Sequence, residues 1–150
     1  MKLPKYEYMA DENLDYFEFL SIGLKGQIKK VVQFSKLNED GFYNLAFGDY
    51  NEVTNQIDDK VVTNNGDSLI ILRTVASTVF AFTDKYPNAI IFATGSTEIR
   101  TRLYRMGLSN NLDEITIDFE VYGVLENGNV EPFIIGEDYF GFIVKRKKLK

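Results

Sequence analysis

Histidine, cysteine and tryptophan are all absent from the 150 residues of this chain. Without cysteine there is neither a disulfide framework nor thiolate chemistry, a composition that fits a reducing compartment. Without histidine the chain lacks Ser-His-Asp and Cys-His catalytic arrangements, His-ligated zinc and the commonest general base near neutral pH. An enzyme of this sequence would have to use carboxylate, amine, phenol or hydroxyl side chains. We therefore favour a non-enzymatic protein, and we expect no cofactor and no resident metal.

Long apolar runs are also missing. No segment approaches the length of a membrane span, and residues 1–4 do not open a signal peptide. We expect a soluble, cytoplasmic protein with no membrane partner. Its length suits a single domain over residues 1–150, closed by a basic tail at residues 145–150. The 12 Phe and 9 Tyr residues are hard to hide in one small core, which predicts a homo-oligomer.

Short alternating segments separated by glycine turns dominate the first third of the chain. Residues 15–22, 27–34 and 42–47 each alternate apolar and polar side chains, and turns at residues 23–26 and 38–41 separate them. This pattern predicts an antiparallel meander of three strands.

The second half predicts two helices and further strands. The longest helix covers residues 68–86. Clean alternation over residues 115–124 predicts a half-buried strand, and two more strands follow over residues 130–135 and 139–144. The resulting order, β-β-β-α-β-α-β-β-β, predicts an α+β domain with a mostly antiparallel sheet and two helices packed on it. The buried stripe of the long helix consists of Leu72, Val75, Ala76, Val79 and Phe80.

The chain is organised around residues 88–107, which predict a buried strand, a polar turn and the second helix. The unbroken apolar run of residues 89–93 is typical of a strand covered on both faces, with Ile90 and Phe92 buried. In the helix, apolar residues at positions 99, 103 and 106 form the stripe that we expect to pack on the sheet. Gly107 is predicted to end the helix.

This strand-turn-helix unit is also the candidate functional site. A helix N-terminus offers free N–H groups to an anion, and arginines add bidentate contacts to phosphate or carboxylate. Residues 61–110 carry five basic and three acidic side chains, although the whole chain has a net charge of −5. The predicted anion site consists of Thr94, Gly95, Ser96, Thr97, Arg100, Arg102 and Arg105.

A purely structural interpretation of the same residues is also available. Ser96 or Thr97 could simply cap the helix. The arginines would then pair with nearby carboxylates, for which the sequence offers Asp113, Glu114, Asp118 and Glu120. A similar alternative holds for Asp58, Asp59 and Asp67, which form either a divalent-ion site or a solvated acidic loop.

Four segments together resemble a known group of proteins. They read FEFLSIGLKGQIKK, YNLAFGD, TNNGD before a helix, and ATGSTEIRTRLYRMGL. This combination resembles a family of small uncharacterised bacterial proteins, chiefly from Bacteroidetes, over nearly the whole chain. The resemblance implies a bacterial cytoplasmic protein of one domain and supplies no activity or functional residue.

The leading functional hypothesis is a non-enzymatic binding or regulatory module that contacts an anionic partner through residues 94–105. The partner would be a nucleic acid, a nucleotide or an acidic protein segment. Single-stranded nucleic acid fits a sheet rich in Tyr and Phe, because aromatic side chains stack on bases. The alternative is a small enzyme acting on a phosphorylated or carboxylated metabolite, with Asp67 or Asp118 as the acid or base.

Overall fold

One large sheet with helices packed on a single face organises the chain. The computed structural model describes residues 4–58, 65–94 and 98–148, without the side chain of Arg100. The strands are β1 (Met9–Ala10), β2 (Tyr16–Gly23), β3 (Gly26–Lys36), β4 (Phe42–Asn51), β5 (Gln56–Asp58), β6 (Ile90–Ala93), β7 (Phe119–Val124), β8 (Val130–Pro132) and β9 (Gly141–Arg146). The helices are α1 (Ser68–Lys85), α2 (Glu98–Asn110) and α3 (Leu112–Asp118). The predicted α+β class with a mostly antiparallel sheet is confirmed.

The strand order places the end of the chain in the middle of the sheet. The order is β1-β2-β3-β4-β6-β9-β7-β8, and β5 pairs with the end of β4. Among the described strands only β4 and β6 run parallel. The predicted meander is confirmed as β2, β3 and β4, in which Phe17 lies opposite Val32 and Val32 lies opposite Phe47.

The main core lies between this meander and α1. The register places Phe17, Phe34 and Leu45 on the face that α1 covers. The ring of Phe34 stacks on Phe82 of α1 with 4.3 Å between the ring centroids. From the predicted stripe of α1, Leu72 and Val75 are buried, whereas the other three residues are half-buried. The buried set of α1 also includes Ile71, Thr74, Thr78, Phe82 and Thr83.

The central strand β6 is covered by helices on one face only. Ile91 is 1% exposed and Ala93 is also buried, because both face the helices. Ile90 and Phe92 point to the opposite face and are half-buried. The prediction that Ile90 and Phe92 are the buried pair was therefore wrong, since an unbroken apolar run gives no sign of which alternate residues face the core.

Helix α2 is rotated relative to the prediction and extends further. Tyr104 faces the core and Leu103 packs against it, whereas Ile99 and Met106 are exposed, so the predicted inward stripe was wrong at two of its three positions. Gly107 lies inside the helix, and a Cβ there would come within 2.9 Å of Leu72 in α1. The glycine therefore permits close approach of the two helices and does not end α2, as the sequence had suggested.

A third helix occupies the start of the segment predicted as one long strand. The predicted strand over residues 115–124 divides into α3 and β7, and the predicted count of two helices becomes three. Leu112, Ile115 and Phe119 recur at i, i+3 and i+7, the spacing of one helix face. The same stretch of sequence therefore fits a helix as well as a strand. Asp113 and Glu114 in the first turn favour the helix through its dipole.

The final strand is shifted by two residues from its predicted position. It runs to Arg146, so Tyr139 and Phe140 precede it. Arg146 donates a hydrogen bond to the Phe80 carbonyl and forms an ion pair with Asp84 of α1. The strand predicted over residues 130–135 is shorter in the structure and ends at Pro132.

Candidate functional site

The strand-to-helix turn is described only at its first residue. Thr94 follows β6 and is half-buried, and its Cγ2 lies beside Gly141. Gly95, Ser96 and Thr97 lie outside the described residues, as does the side chain of Arg100. The proposed N-terminal half of the anion site therefore stays a prediction.

The exposed side of α2 presents a mixed apolar and cationic surface. Ile99, Arg102 and Met106 recur at i, i+3 and i+7, and all three are exposed, Ile99 by 63%. We call these three residues the outer face of α2. Arg102 makes no ion pair with any side chain in the described ranges. The inner side of the same helix carries Tyr104 into the core.

Arg105 has a partner that the sequence did not predict. Its guanidinium forms an ion pair with Asp138 in the loop before β9, and not with the acidic residues of α3 or β7. The Asp138 carboxylate is 96% exposed, so water competes with this contact. Exposed ion pairs of this kind contribute about 0–1 kcal/mol. An anionic partner could therefore replace Asp138 at small cost.

A buried polar cluster lies where α1 begins, and it consists of Tyr6, Ser21, Asn65 and Asp67. The hydroxyls of Tyr6 and Ser21 each donate a hydrogen bond of 2.6 Å to Oδ2 of Asp67. The amide of Asn65 donates to Ser21 Oγ at 3.1 Å and to the Gly26 carbonyl at 3.0 Å. Asp67 Oδ1 is buried and has no hydrogen-bond partner among the described residues. The cluster ties the N-terminal segment, the β2–β3 hairpin and α1 together.

Sequence reasoning identified only part of this cluster. The sequence predicted Asp67 as a divalent-ion ligand, as part of a solvated acidic loop, or as a catalytic acid or base, and its burial is inconsistent with the solvated loop. Asp59 lies outside the described residues, and the described ranges contain no group of three or more potential His, Cys, Asp or Glu ligands. The missed partners, Tyr6 and Ser21, are distant in sequence, and no local pattern links them to Asp67.

Comparison with known protein families shows to which family this chain belongs. The model of DUF6934, a family of unknown function, matches residues 2–147. The chain belongs to this family. The predicted resemblance to a family without an assigned activity is thereby confirmed, while the bacterial origin stays a prediction.

The other comparisons add no relative with a known activity. Searches of curated proteins and of solved structures gave no match for this DUF6934 chain. Within the described ranges, no helix has the length and apolarity needed to cross a lipid bilayer.

Tyrosine–carboxylate pairs recur across this DUF6934 chain. Tyr16, Tyr122 and Tyr139 donate hydrogen bonds of 2.7–2.9 Å to Glu18, Glu120 and Glu131 respectively. Burial, followed by the hydrogen bond to Glu18, raises the pKa of Tyr16 to about 12. The pKa of Tyr122 is raised chiefly by its hydrogen bond to Glu120, and those of Tyr6 and Tyr139 are raised chiefly by burial. These phenols therefore keep their protons, and remain hydrogen-bond donors, to higher pH than a free tyrosine.

A buried ion pair is the second polar feature that sequence reasoning did not identify. Lys30 interrupts the otherwise apolar face of β3 that carries Val32 and Phe34. Its ammonium forms an ion pair with Asp49 on β4, and the two side chains are 3% and 15% exposed. The register places the two residues directly opposite each other. Pairing explains how a lysine can occupy the face that packs on the helices.

Proposed function

We propose that the chain is a non-enzymatic binding module whose outer face of α2 contacts an acidic segment of a partner protein. The observation that carries this proposal is the exposed Arg102, which has no ion-pair partner among the described residues and lies between exposed Ile99 and Met106. Apolar residues spaced along one helix face are a common way to anchor a partner segment. Arginine adds bidentate recognition of carboxylates. A bacterial, cytoplasmic setting belongs to the same proposal and rests on the sequence.

An acidic protein segment suits this surface better than a nucleic acid. A nucleic-acid backbone would gain little from Ile99 and Met106, whereas an acidic protein segment can also place apolar side chains on them. The aromatic face of the sheet that no helix covers is also unfavourable for phosphates. On that face Glu120 accepts a hydrogen bond from the hydroxyl of Tyr122, and its carboxylate lies 3.9 Å from the ammonium of Lys145. The positive charge of Lys145 is therefore already balanced by a carboxylate.

The buried carboxylate of Asp67 supports a second candidate function. A small enzyme acting on a phosphorylated or carboxylated metabolite needs a carboxylate held away from water, and Oδ1 of Asp67 lacks a hydrogen-bond partner among the described residues. Against this candidate, Arg102 is exposed and Arg105 pairs with Asp138, so neither lies within the buried polar cluster. Asp118, the other carboxylate predicted for this role, is exposed. We therefore rank the binding module first.

The decisive experiment is titration of the wild-type protein with three anions. The probes are a glutamate-rich peptide containing leucines, inorganic phosphate and a short single-stranded oligonucleotide, measured by calorimetry at low and moderate salt. We expect binding of the peptide, weakened at least tenfold by Arg102→Ala/Arg105→Ala. Replacing Lys147 and Lys148 by Ala removes the same charge from another exposed region and serves as the matched control.

A second pair of substitutions separates a protein segment from a simple anion. Ile99→Ser/Met106→Ser should also lower the affinity for the peptide, because apolar contacts contribute to peptide recognition. The same variant should leave any phosphate or oligonucleotide binding unchanged. Equal peptide affinity in wild type and in the folded double-arginine variant would refute the proposal. Binding of the oligonucleotide alone would reassign the surface to nucleic acid.

A further inference from the structure

An apolar cavity lies between the helices and the central strands. Its volume is about 80 Å³, and it is bounded by α1, α2, α3, β4, β6, β7 and β9. Leu45 and Ile91 form its floor on the sheet, and Val79 and Leu108 close it from the helices. Among the lining residues that the structure describes, Tyr104 alone has a polar side chain.

Water is a poor occupant of this space. A buried water needs two to four polar partners, and a cavity without them stays dry even when it is large enough. Protein interiors otherwise contain few voids larger than a water molecule. The apolar lining atoms lack protein contacts on the side that faces the cavity, and a ligand of matching chemistry would supply those contacts.

Small residues keep the space open, and half-buried ones connect it to the surface. Ala76 on α1 and Ala93 on β6 both line the cavity, and longer apolar side chains there would reduce it. Ala76, Phe80 and Leu108 are half-buried, so the cavity comes nearest to solvent between α1 and the later helices. A small ligand could enter between α1 and the later helices without unfolding of the sheet.

We propose that this cavity is a binding site for a small apolar ligand, or for the short aliphatic end of a small metabolite. A cavity of roughly 150 Å³ lined by Leu, Ile and Phe binds benzene or xenon. The cavity here is about half that size, so its guest is smaller than a benzene ring. This site is separate from the outer face of α2, since it lies on the inner side of the helix.

Dissolved xenon is the first probe, and methyl NMR spectra of the full chain provide the readout. We expect saturable shifts in the methyl resonances of Val79, Ile91 and Leu108, with none in the exposed Leu24 and Val53. Shifts that grow linearly with xenon pressure, or that are spread evenly over all methyl groups, would overturn the proposal.

Two further variants test the site by changing its volume. Ala76→Leu should fill the cavity and weaken xenon binding at least tenfold. Ala81 is on the same helix but does not line the cavity, so Ala81→Leu should leave xenon binding unchanged. Leu108→Ala should enlarge the cavity enough to admit benzene, which the wild type excludes. Unchanged xenon binding in folded Ala76→Leu, or no benzene binding in folded Leu108→Ala, would refute the assignment. Loss of peptide binding at α2 would leave this result unaffected.

Discussion

At the scale of single residues, the ionisable groups in the core are stabilised by specific partners. Lys30 and Asp49 face each other across β3 and β4, and Asp67 accepts two hydroxyl hydrogen bonds. A buried charge without such partners would cost several kcal/mol (about 3–5 for one member of a broken pair). The sequence shows that a lysine interrupts an apolar face, but the partner becomes visible only when the register is known.

The pair of Lys30 and Asp49 gives the first prediction at this scale. We expect Asp49→Asn to lower the free energy of unfolding by about 3–5 kcal/mol, because it removes one carboxylate charge from a buried ion pair. The double variant Lys30→Met/Asp49→Leu should lose much less free energy of unfolding than the two single substitutions combined. Urea unfolding of all variants in a double-mutant cycle measures this coupling.

A neighbouring pair on the other face of the sheet is the control. Glu18 and Lys29 lie 3.4 Å apart, and their side chains are 29% and 36% exposed. Glu18→Gln should therefore cost less than about 1 kcal/mol. If Asp49→Asn costs no more than Glu18→Gln, the pair of Lys30 and Asp49 does not stabilise the core.

The raised pKa of Tyr16 predicts a loss of stability in alkaline solution. The unfolded chain ionises this phenol near about pH 10, whereas the folded protein retains the proton to about pH 12. The contribution of Tyr16 to the free energy of unfolding is complete below about pH 10. It is lost as the pH rises from about 10 to 12, because in this range the unfolded state binds fewer protons than the folded state. Tyr16→Phe should make the decline shallower in urea melts between these values. Tyr8→Phe, whose hydroxyl has no carboxylate partner among the described residues, should follow the wild type.

At the scale of elements, local patterns predicted the segments whose neighbours in space are also neighbours in sequence. The β2–β3–β4 meander and α1 formed close to their predicted bounds. The failures occurred where two periodicities fit the same residues. Ile115 and Phe119 suit both a strand and a helix, and the rotation of α2 depends on Gly107 meeting Leu72 of another helix. Such contacts are tertiary, and no window of sequence contains them.

The two faces of β6 can be distinguished by paired substitutions. Ile91→Ala should lower the free energy of unfolding by about 2–5 kcal/mol, since Ile91 is fully packed against the helices. Phe92→Ala should cost less than about 2 kcal/mol, because a half-buried side chain loses only part of its transfer free energy. Urea melts at low protein concentration measure both values. A larger loss for Phe92 than for Ile91 would mean that the helices cover the opposite face.

At the scale of the whole molecule, the sheet topology was beyond the reach of the sequence. β9 pairs with both β6 and β7, so the last strand completes the centre of the sheet. The candidate site was predictable only as a basic helix. Which of its residues face outward followed from the docking of α2, and this docking exposed Ile99 and Met106 in place of the predicted inward stripe.

The same topology leaves one face of the sheet without helices. On that face Phe92 lies directly between Asn44 and Ile143, and Ile143 lies next to Tyr122. Phe42 is paired with Ile90 in the adjoining row, and all of these side chains are half-buried. A continuous, partly apolar surface of this kind on a small domain is typical of an interface. We therefore keep the expectation of a homo-oligomer as a proposal and locate it on this face.

Sedimentation velocity over a range of protein concentrations tests that proposal. We expect the wild type to shift from monomer to dimer as its concentration rises through the micromolar range. Ile143→Lys should hold the protein as a monomer, because the interface would then have to bury an ammonium beside Phe92. Leu24→Lys makes the same change at a turn residue that is 94% exposed and should dimerise like the wild type. A wild type that stays monomeric at high micromolar concentration, or a folded Ile143→Lys that still dimerises, would show that this face is not the interface.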